Sequence, residues 1–262
     1  MQLIDGKQIS HKIYEDLKKD ILTLGSKPNL AIVLASHDES SKVYTNLKIK
    51  KANEIGVDTE LYTFKEETSF NQLISQIKKL NSDKSVTGVL IQLPLFKHLE
   101  VDTLEIINYL DPKKDADGLT AIQQGYTSQV LPNAILPATV DAVLECLKFT
   151  IKDNLTLKDD YTIKQQLYEQ MKSKNILIIN NSILVGKPLA LVLSSLDSTV
   201  TIANEFTKDL PLLCKTADII IAATGQTRII NHSMLKNGVV LIDVTSIRKD
   251  NKVFGDIIVS KE

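Results

Sequence analysis

The 262-residue chain has no tryptophan, only two cysteines and no long apolar run. Cys146 and Cys214 are too few for a disulfide framework and lack the spacing of a zinc site, which points to a reducing compartment. His11, His37, His98 and His232 form no closely spaced ligand pair, so no metal site is expected. No segment nears the ~20 apolar residues that cross a bilayer, and Met1 to Lys7 shows no charged-then-apolar leader. The reading is a cytoplasmic protein with no membrane partner. A formal net charge of −1 removes the electrostatic reason to expect nucleic acid. What remains is the composition of a globular chain, 43% hydrophobic and 24% charged, long enough for one large α/β domain or two small ones.

What is present is an alternation of helix and strand signals. Ile9, Ile13, Leu17 and Ile21 mark a helix over 8–22, and 29–35 reads as a buried strand. A helix over 40–55 stops at Gly56. Residues 57–64 alternate like a strand, and Ser69 with Gln72 spells a capping box ahead of a helix to about Leu80. A second buried strand spans 86–93, after which Asp102 is expected to cap a helix through Leu110. The second half repeats this rhythm, with a helix over 138–148 and strands at 175–180, 199–203, 217–222 and 238–244. The polar stretch 150–174 reads as an exposed insertion with a helix near 164–171. The expectation is a two-domain α/β fold with mostly parallel sheets, divided into 1–135 and 136–262, with ligands at the carboxyl ends of the strands.

Tyr44 and Lys48 are four residues apart and share a helix face; by itself such a pair is most often a solvated surface. Gln92 ends a strand and precedes Leu93-Pro94-Leu95. The segment from Lys113 to Gly118 starts like a calcium loop, but Leu119 and Tyr126 occupy positions that need oxygen ligands.

Taken together, these pieces resemble the bifunctional methylenetetrahydrofolate dehydrogenase/methenyltetrahydrofolate cyclohydrolase family. The resemblance rests on Leu3-Ile4-Asp5-Gly6-Lys7, the Ser-x-x-Tyr-x-x-x-Lys run from Ser41 to Lys48, Gln92-Leu93-Pro94-Leu95, and Lys114-Asp115-Ala116-Asp117-Gly118, in that order. It implies that Lys48 is the central catalytic group, that Tyr44 orients the folate, that Gln92 holds the lysine and that Asp117 binds the pterin. Leu93 and Pro94 would complete the substrate-binding set. The chemistry is coherent. Cyclohydrolysis adds water to a cationic methenyl carbon and breaks a C–N bond, and a lysine relays protons there only if its pKa falls towards neutrality. A glutamine accepts its hydrogen bond without adding a charge that would lock the ammonium form.

Glycine is scarce where a dinucleotide fold usually concentrates it. The family's Gly-Arg-Ser-x-x-Val-Gly-x-Pro segment corresponds to Asn180-Asn181-Ser182-Ile183-Leu184-Val185-Gly186-Lys187-Pro188. Asn180 replaces the first glycine, and the expectation is that asparagine preserves the turn by tolerating a left-handed conformation. Asn181 replaces an arginine that in the family binds the extra phosphate of NADP. Glu205 stands where the family has a serine serving the same phosphate, and a carboxylate suits a free ribose 2′-hydroxyl. NAD is therefore expected over NADP.

Thr139, Thr224, Gly225 and Ser246 complete the expected cofactor contacts. Thr245 places a β-branched residue where the family has glycine, which suggests decay of that turn. The family's Pro-Cys-Thr-Pro-x-Gly retains only Pro137 and Thr139, and its Pro-Gly-Gly-rich loop has no counterpart in the 262 residues. The leading expectation is a bifunctional NAD(P)-dependent folate enzyme, a homodimer by family resemblance, with the folate between its halves. The alternatives are a cyclohydrolase with a degenerate nucleotide domain and a non-catalytic folate or nucleotide binder.

Overall fold

The computed structural model describes residues 3–151, 160–249 and 252–258. Among these, the contacts define one unit of Asp5–Tyr126 with Asn133–Ile135, and a second containing Thr127–Pro132 and the chain from Leu136 onward.

The first unit is a three-stranded parallel sheet covered by helices. Helix α1 (Gly6–Thr23) starts where Asp5 accepts hydrogen bonds from the amides of Lys7 and Gln8. Strand β1 (Asn29–Leu34) leads into α2 (Glu39–Ile55), which Asp38 caps and Gly56 ends at a φ of 96°. Strand β2 (Asp58–Thr63), helix α3 (Phe70–Ser82) and strand β3 (Gly88–Gln92) complete the order β2-β1-β3. The capping box of Ser69 and Gln72 is present in full. One face of the sheet buries Ala31, Val33, Val89 and Ile91 against Leu73, Ile77 and Leu80 of α3, the removal of apolar surface from water that drives such layers together. Beyond β3 the chain takes a 3-10 turn (Lys97–Asp102) before α4 (Thr103–Asn108). Asp102 holds the N-cap position of α4, but its side chain makes no capping bond, because the helix continues directly from the 3-10 turn. Helix α5 (Ala121–Ser128) follows.

The second unit contains α6 (Ala138–Ile151), α7 (Asp160–Met171), β4 (Asn175–Ile179), α8 (Gly186–Ser194), β5 (Thr199–Ala203), α9 (Leu210–Thr216), β6 (Ile219–Ala222) and β7 (Val240–Asp243). The order β5-β4-β6-β7 is parallel throughout. Both faces are covered, so alternate residues of β4 enter different cores. Ile176 and Ile178 pack with α6, α7 and α8, whereas Leu177 and Ile179 pack with Cys214 and Met234. An antiparallel hairpin of β8 (Ile247–Lys249) and β9 (Lys252–Phe254) follows.

One expectation is corrected. The helix expected near 164–171 is not part of an exposed insertion, since Leu167 and Met171 of α7 are buried in the core that holds Leu147 and Ile176. Two apolar side chains one helical turn apart dock α7 on the sheet unit, while Gln165, Glu169 and Gln170 are exposed. Residues 152–159 of that stretch lie outside the described residues.

Candidate functional site

In the first unit the carboxyl ends of β1 and β3 lie side by side, with Leu34 paired to Gln92. The exit of β1 runs through Asp38 into α2, which brings the functional face of that helix over the end of β3. Lys48 Nζ donates to Gln92 Oε1 at 3.2 Å. Gln92 Nε2 donates to its neighbour's carbonyl, Leu93 O, at 2.7 Å, and this second bond fixes which amide atom faces the lysine. Both side chains are half-buried.

Ser41, one of two helix residues that precede Lys48 on the buried side, has Oγ 2.8 Å from Asp38 Oδ2 and 3.3 Å from Leu93 O. Hydrogen bonds from Ser40 and Ser41 hold the Asp38 carboxyl below its ordinary pKa. The start of α2 is thus tied to the Gln92-Leu93 corner. Leu93 and Pro94 form a cis peptide at that corner.

Asp117 sits on a loop clamped to β3. The Val89 amide donates to Lys114 O at 2.6 Å and the Ala116 amide donates back to Val89 O at 3.1 Å. Within the loop, buried Asp115 accepts from the Thr120 amide at 2.7 Å. Lys114 Nζ reaches the carbonyls of Leu80 and Asp83 at 2.9 and 2.6 Å, so this lysine closes the end of α3 instead of facing the site. Burial pushes the Asp117 carboxyl up; the Lys48 ammonium opposes that rise and Asp115 adds to it. Tyr44, one turn before Lys48, keeps its ring about half exposed, at 48%.

This geometry provides an amine held by a neutral acceptor, a carboxyl that feels that amine's charge and an exposed ring one turn away. It brings Lys48, Gln92 and Asp117 to one end of one sheet. Ser41 was legible only as the first letter of its motif; its role depends on Leu93 O, 52 positions away.

In the second unit the expected cofactor residues other than Thr139 lie in the segments that follow the carboxyl ends of four neighbouring strands. Asn180, Asn204, Ala223 and Val244 follow β4, β5, β6 and β7, with Ile179 paired to both Ala203 and Ala222, and Ala222 to Asp243. Gly186 opens α8, and a β-carbon there would overlap the Asn180 carbonyl oxygen, so the strand and helix approach as closely as glycine alone permits. Pro188 is buried in the first turn of α8, where its missing N–H costs no helical bond. Val185 is the N-cap residue, and its amide donates to Ser182 Oγ at 3.2 Å. Asn181 and Glu205 are exposed on the loops after β4 and β5. Thr139 lies in the first turn of α6. A parallel sheet with this close strand–turn–helix at its switch fits a dinucleotide.

Two expectations about these loops are corrected. Asn180 does not keep the turn by adopting a left-handed conformation, since it is not among the residues of positive φ. Its side chain does so instead. Oδ1 accepts from the Ser182 amide, the Ser182 hydroxyl and the Gly186 amide at 2.8, 2.7 and 3.0 Å, and Nδ2 donates to Ala223 O at 2.6 Å.

Nor is Thr245 a sign of decay. It also lacks a positive φ, and its hydroxyl donates to Asp256 Oδ2 at 2.8 Å while accepting from the Gly225 amide at 3.1 Å. Asp256 is fully buried and takes a further bond from the Thr224 amide at 2.7 Å, so the loops after β6 and β7 share one carboxylate. Ser246 is exposed beside this network. Sequence reading missed Asp256, whose partners lie 11 and 32 positions away.

Comparisons with known proteins agree with this architecture. Residues 4–117 match the family model described as tetrahydrofolate dehydrogenase/cyclohydrolase, catalytic domain, and residues 160–261 match its NAD(P)-binding domain. The second match begins with α7, which therefore belongs to the nucleotide domain. The chain is 34% identical over 258 residues to the bifunctional protein FolD of Hydrogenobaculum sp. (strain Y04AAS1), covering 98% of this chain and 86% of that one. The crystal structure of the bifunctional methylenetetrahydrofolate dehydrogenase/cyclohydrolase from Campylobacter jejuni superposes with a TM-score of 0.86 at 33% identity, over 98% of this chain and 86% of that one. The Trypanosoma brucei enzyme, solved with NADP cofactor and an inhibitor, shares the fold at 24% identity and a TM-score of 0.85, over 98% and 85% of the two chains. The chain belongs to the tetrahydrofolate dehydrogenase/cyclohydrolase family.

Proposed function

We propose that the protein oxidises 5,10-methylenetetrahydrofolate with NAD(P) and hydrolyses the resulting methenyl compound to 10-formyltetrahydrofolate, with Lys48 as the proton-relaying group of the hydrolysis. The observation that carries the assignment is the Lys48–Gln92 bond at 3.2 Å, beside a carboxyl that senses the lysine's charge. The acceptor is an amide. It holds the lysine in place without adding a negative charge that would lock the ammonium form, which suits a group that relays a proton between attacking water and the departing nitrogen. Asp117 is suited to the donor-rich edge of a pterin, and Tyr44 offers an exposed ring on which the substrate would lie. Leu93 and Pro94 shape the corner that positions the Gln92 amide. A molecule that only bound folate would have no use for a lysine held in this way.

NAD(P), when bound, supplies the acceptor for hydride from the methylene carbon. The chain's own contribution is the close turn from Ser182 to Pro188, the loop carrying Thr224 and Gly225, Ser246 after β7, and Thr139 at the start of α6. We assign NAD as the preferred form because Asn181 supplies no cation for a 2′-phosphate and Glu205, on the adjacent strand's loop, repels one. We further infer a homodimer in the cytoplasm, in keeping with the family resemblance and with two cysteines that are both free. Among the described residues no helix is long and apolar enough to cross a membrane.

The test uses two assays. Loss of methenyltetrahydrofolate absorbance in the near ultraviolet reports hydrolysis, and turnover of methylenetetrahydrofolate with NAD or with NADP reports hydride transfer. Activity in both, faster with NAD, is expected. Activity in the first alone would leave a monofunctional hydrolase, silence in both would overturn the reading, and faster turnover with NADP would overturn the cofactor assignment.

A further inference from the structure

We propose that Asn180 is a tethered competitor for the pyrophosphate of the nucleotide: its carboxamide oxygen occupies the acceptor position of the β4–α8 turn, and cofactor binding has to displace it. The inference rests on the NAD(P) reading above and concerns how tightly that nucleotide is held. Three donors converge on Oδ1, namely the Ser182 amide, the Ser182 hydroxyl and the Gly186 amide. The last of these is the first backbone donor of α8, at the positive end of the helix dipole, where such folds receive an anion.

The oxygen and nitrogen of the carboxamide are told apart by their partners, because Nδ2 faces a carbonyl, Ala223 O, at 2.6 Å. The neighbouring donors are also engaged within the turn. The Val185 amide bonds Ser182 Oγ and the Lys187 amide bonds Ser182 O at 3.0 Å. A glycine at 180 would leave the Ser182 and Gly186 donors to exchangeable water, which a phosphate displaces at little cost. A side chain fixed to the same strand end is always present. It stabilises the empty turn and must give up these bonds when the nucleotide arrives.

The pyrophosphate is common to both dinucleotides, so the effect does not discriminate between them. This separates Asn180 from Asn181 and Glu205, whose influence falls on the 2′-position.

Calorimetric titration of NAD and of NADP into the wild type, Asn180→Gly, Asn180→Ala and Asn180→Asp tests the proposal, with thermal denaturation as the check on folding. Asn180→Gly and Asn180→Ala are expected to bind both nucleotides more tightly by a similar factor, at least about fivefold, while losing thermal stability. Asn180→Asp, which keeps the acceptor and adds charge, is expected to bind both more weakly. If Asn180→Gly proves unstable, Asn180→Ala, which keeps the β-carbon, carries the comparison. Unchanged or weaker binding in the folded Gly or Ala variant would overturn the proposal and leave Asn180 as an ordinary scaffold. Failure of all four proteins to bind either nucleotide would overturn the NAD(P) reading and this inference with it.

Discussion

The two sheets end in loops of opposite character. In the first unit long side chains from α2 and from the end of β3 meet with polar atoms held at one point and left available at another: Lys48 donates a hydrogen bond to Gln92 through one N–H. In the second unit the loops are tied together by their own short polar side chains, with Asn180 closing the turn after β4 and Thr245 with Asp256 closing those after β6 and β7. The first arrangement is poised to move protons. The second is preorganised as a scaffold, and part of its donor capacity is already spent. Both are built on the same parallel α/β plan, so the difference lies in a handful of residues at the strand ends and on the helices and loops that follow them.

The comparison can be sharpened at four positions. Gln92→Glu should have the largest effect. A carboxylate facing Lys48 favours the charged amine, so methenyl hydrolysis at neutral pH should fall about tenfold or more, and its pH–rate profile should move to higher pH. An unchanged profile would show that the amide's neutrality is irrelevant. Gly186→Ala forces a β-carbon into the Asn180 carbonyl, at a cost of about 1–3 kcal/mol; chemical denaturation should register this, and nucleotide binding should weaken while folate binding persists.

Thr245→Val removes a hydroxyl that serves a fully buried carboxylate, with an expected loss of about 1–3 kcal/mol. A neutral result would restore the view of Thr245 as a mere lapse from glycine. Asp117→Asn should have the smallest effect on stability, and of opposite sign. Burial raises the Asp117 carboxyl above its unfolded value, so its ionisation on going up in pH costs stability that is fully present in acid. The amide should therefore raise the melting temperature by a few degrees at neutral pH, a gain that fades as the pH falls through the carboxylate range. Folate affinity should drop at the same time.

Much of the first site was legible because its components are local or sit at strand ends. Tyr44 and Lys48 are one helical turn apart, Gln92 terminates an apolar run, and Asp117 belongs to a compact acidic loop. The sheet order then only had to bring α2 beside β3. The second site was legible as a strand–turn–helix but misread in its details. Substitution of glycine suggested a backbone solution, left-handed asparagine at 180 and strain at 245, whereas the molecule uses side chains. Those solutions depend on Ala223 O for Asn180 and on Asp256 for Thr245, partners supplied by other strands, which no local pattern reveals. The same holds for α7, whose polar composition masked the two apolar residues, Leu167 and Met171, that seat it in the core.

The central claim is that water chemistry on the folate belongs to Lys48 in the first unit, independently of the nucleotide turn. It is tested most directly by the rate of methenyltetrahydrofolate hydrolysis in Lys48→Met, measured beside NAD(P) affinity in the same preparation. The account predicts a loss of about a thousandfold in the hydrolysis rate with nucleotide affinity unchanged. Hydrolysis at the wild-type rate in a folded, nucleotide-binding Lys48→Met protein would contradict it.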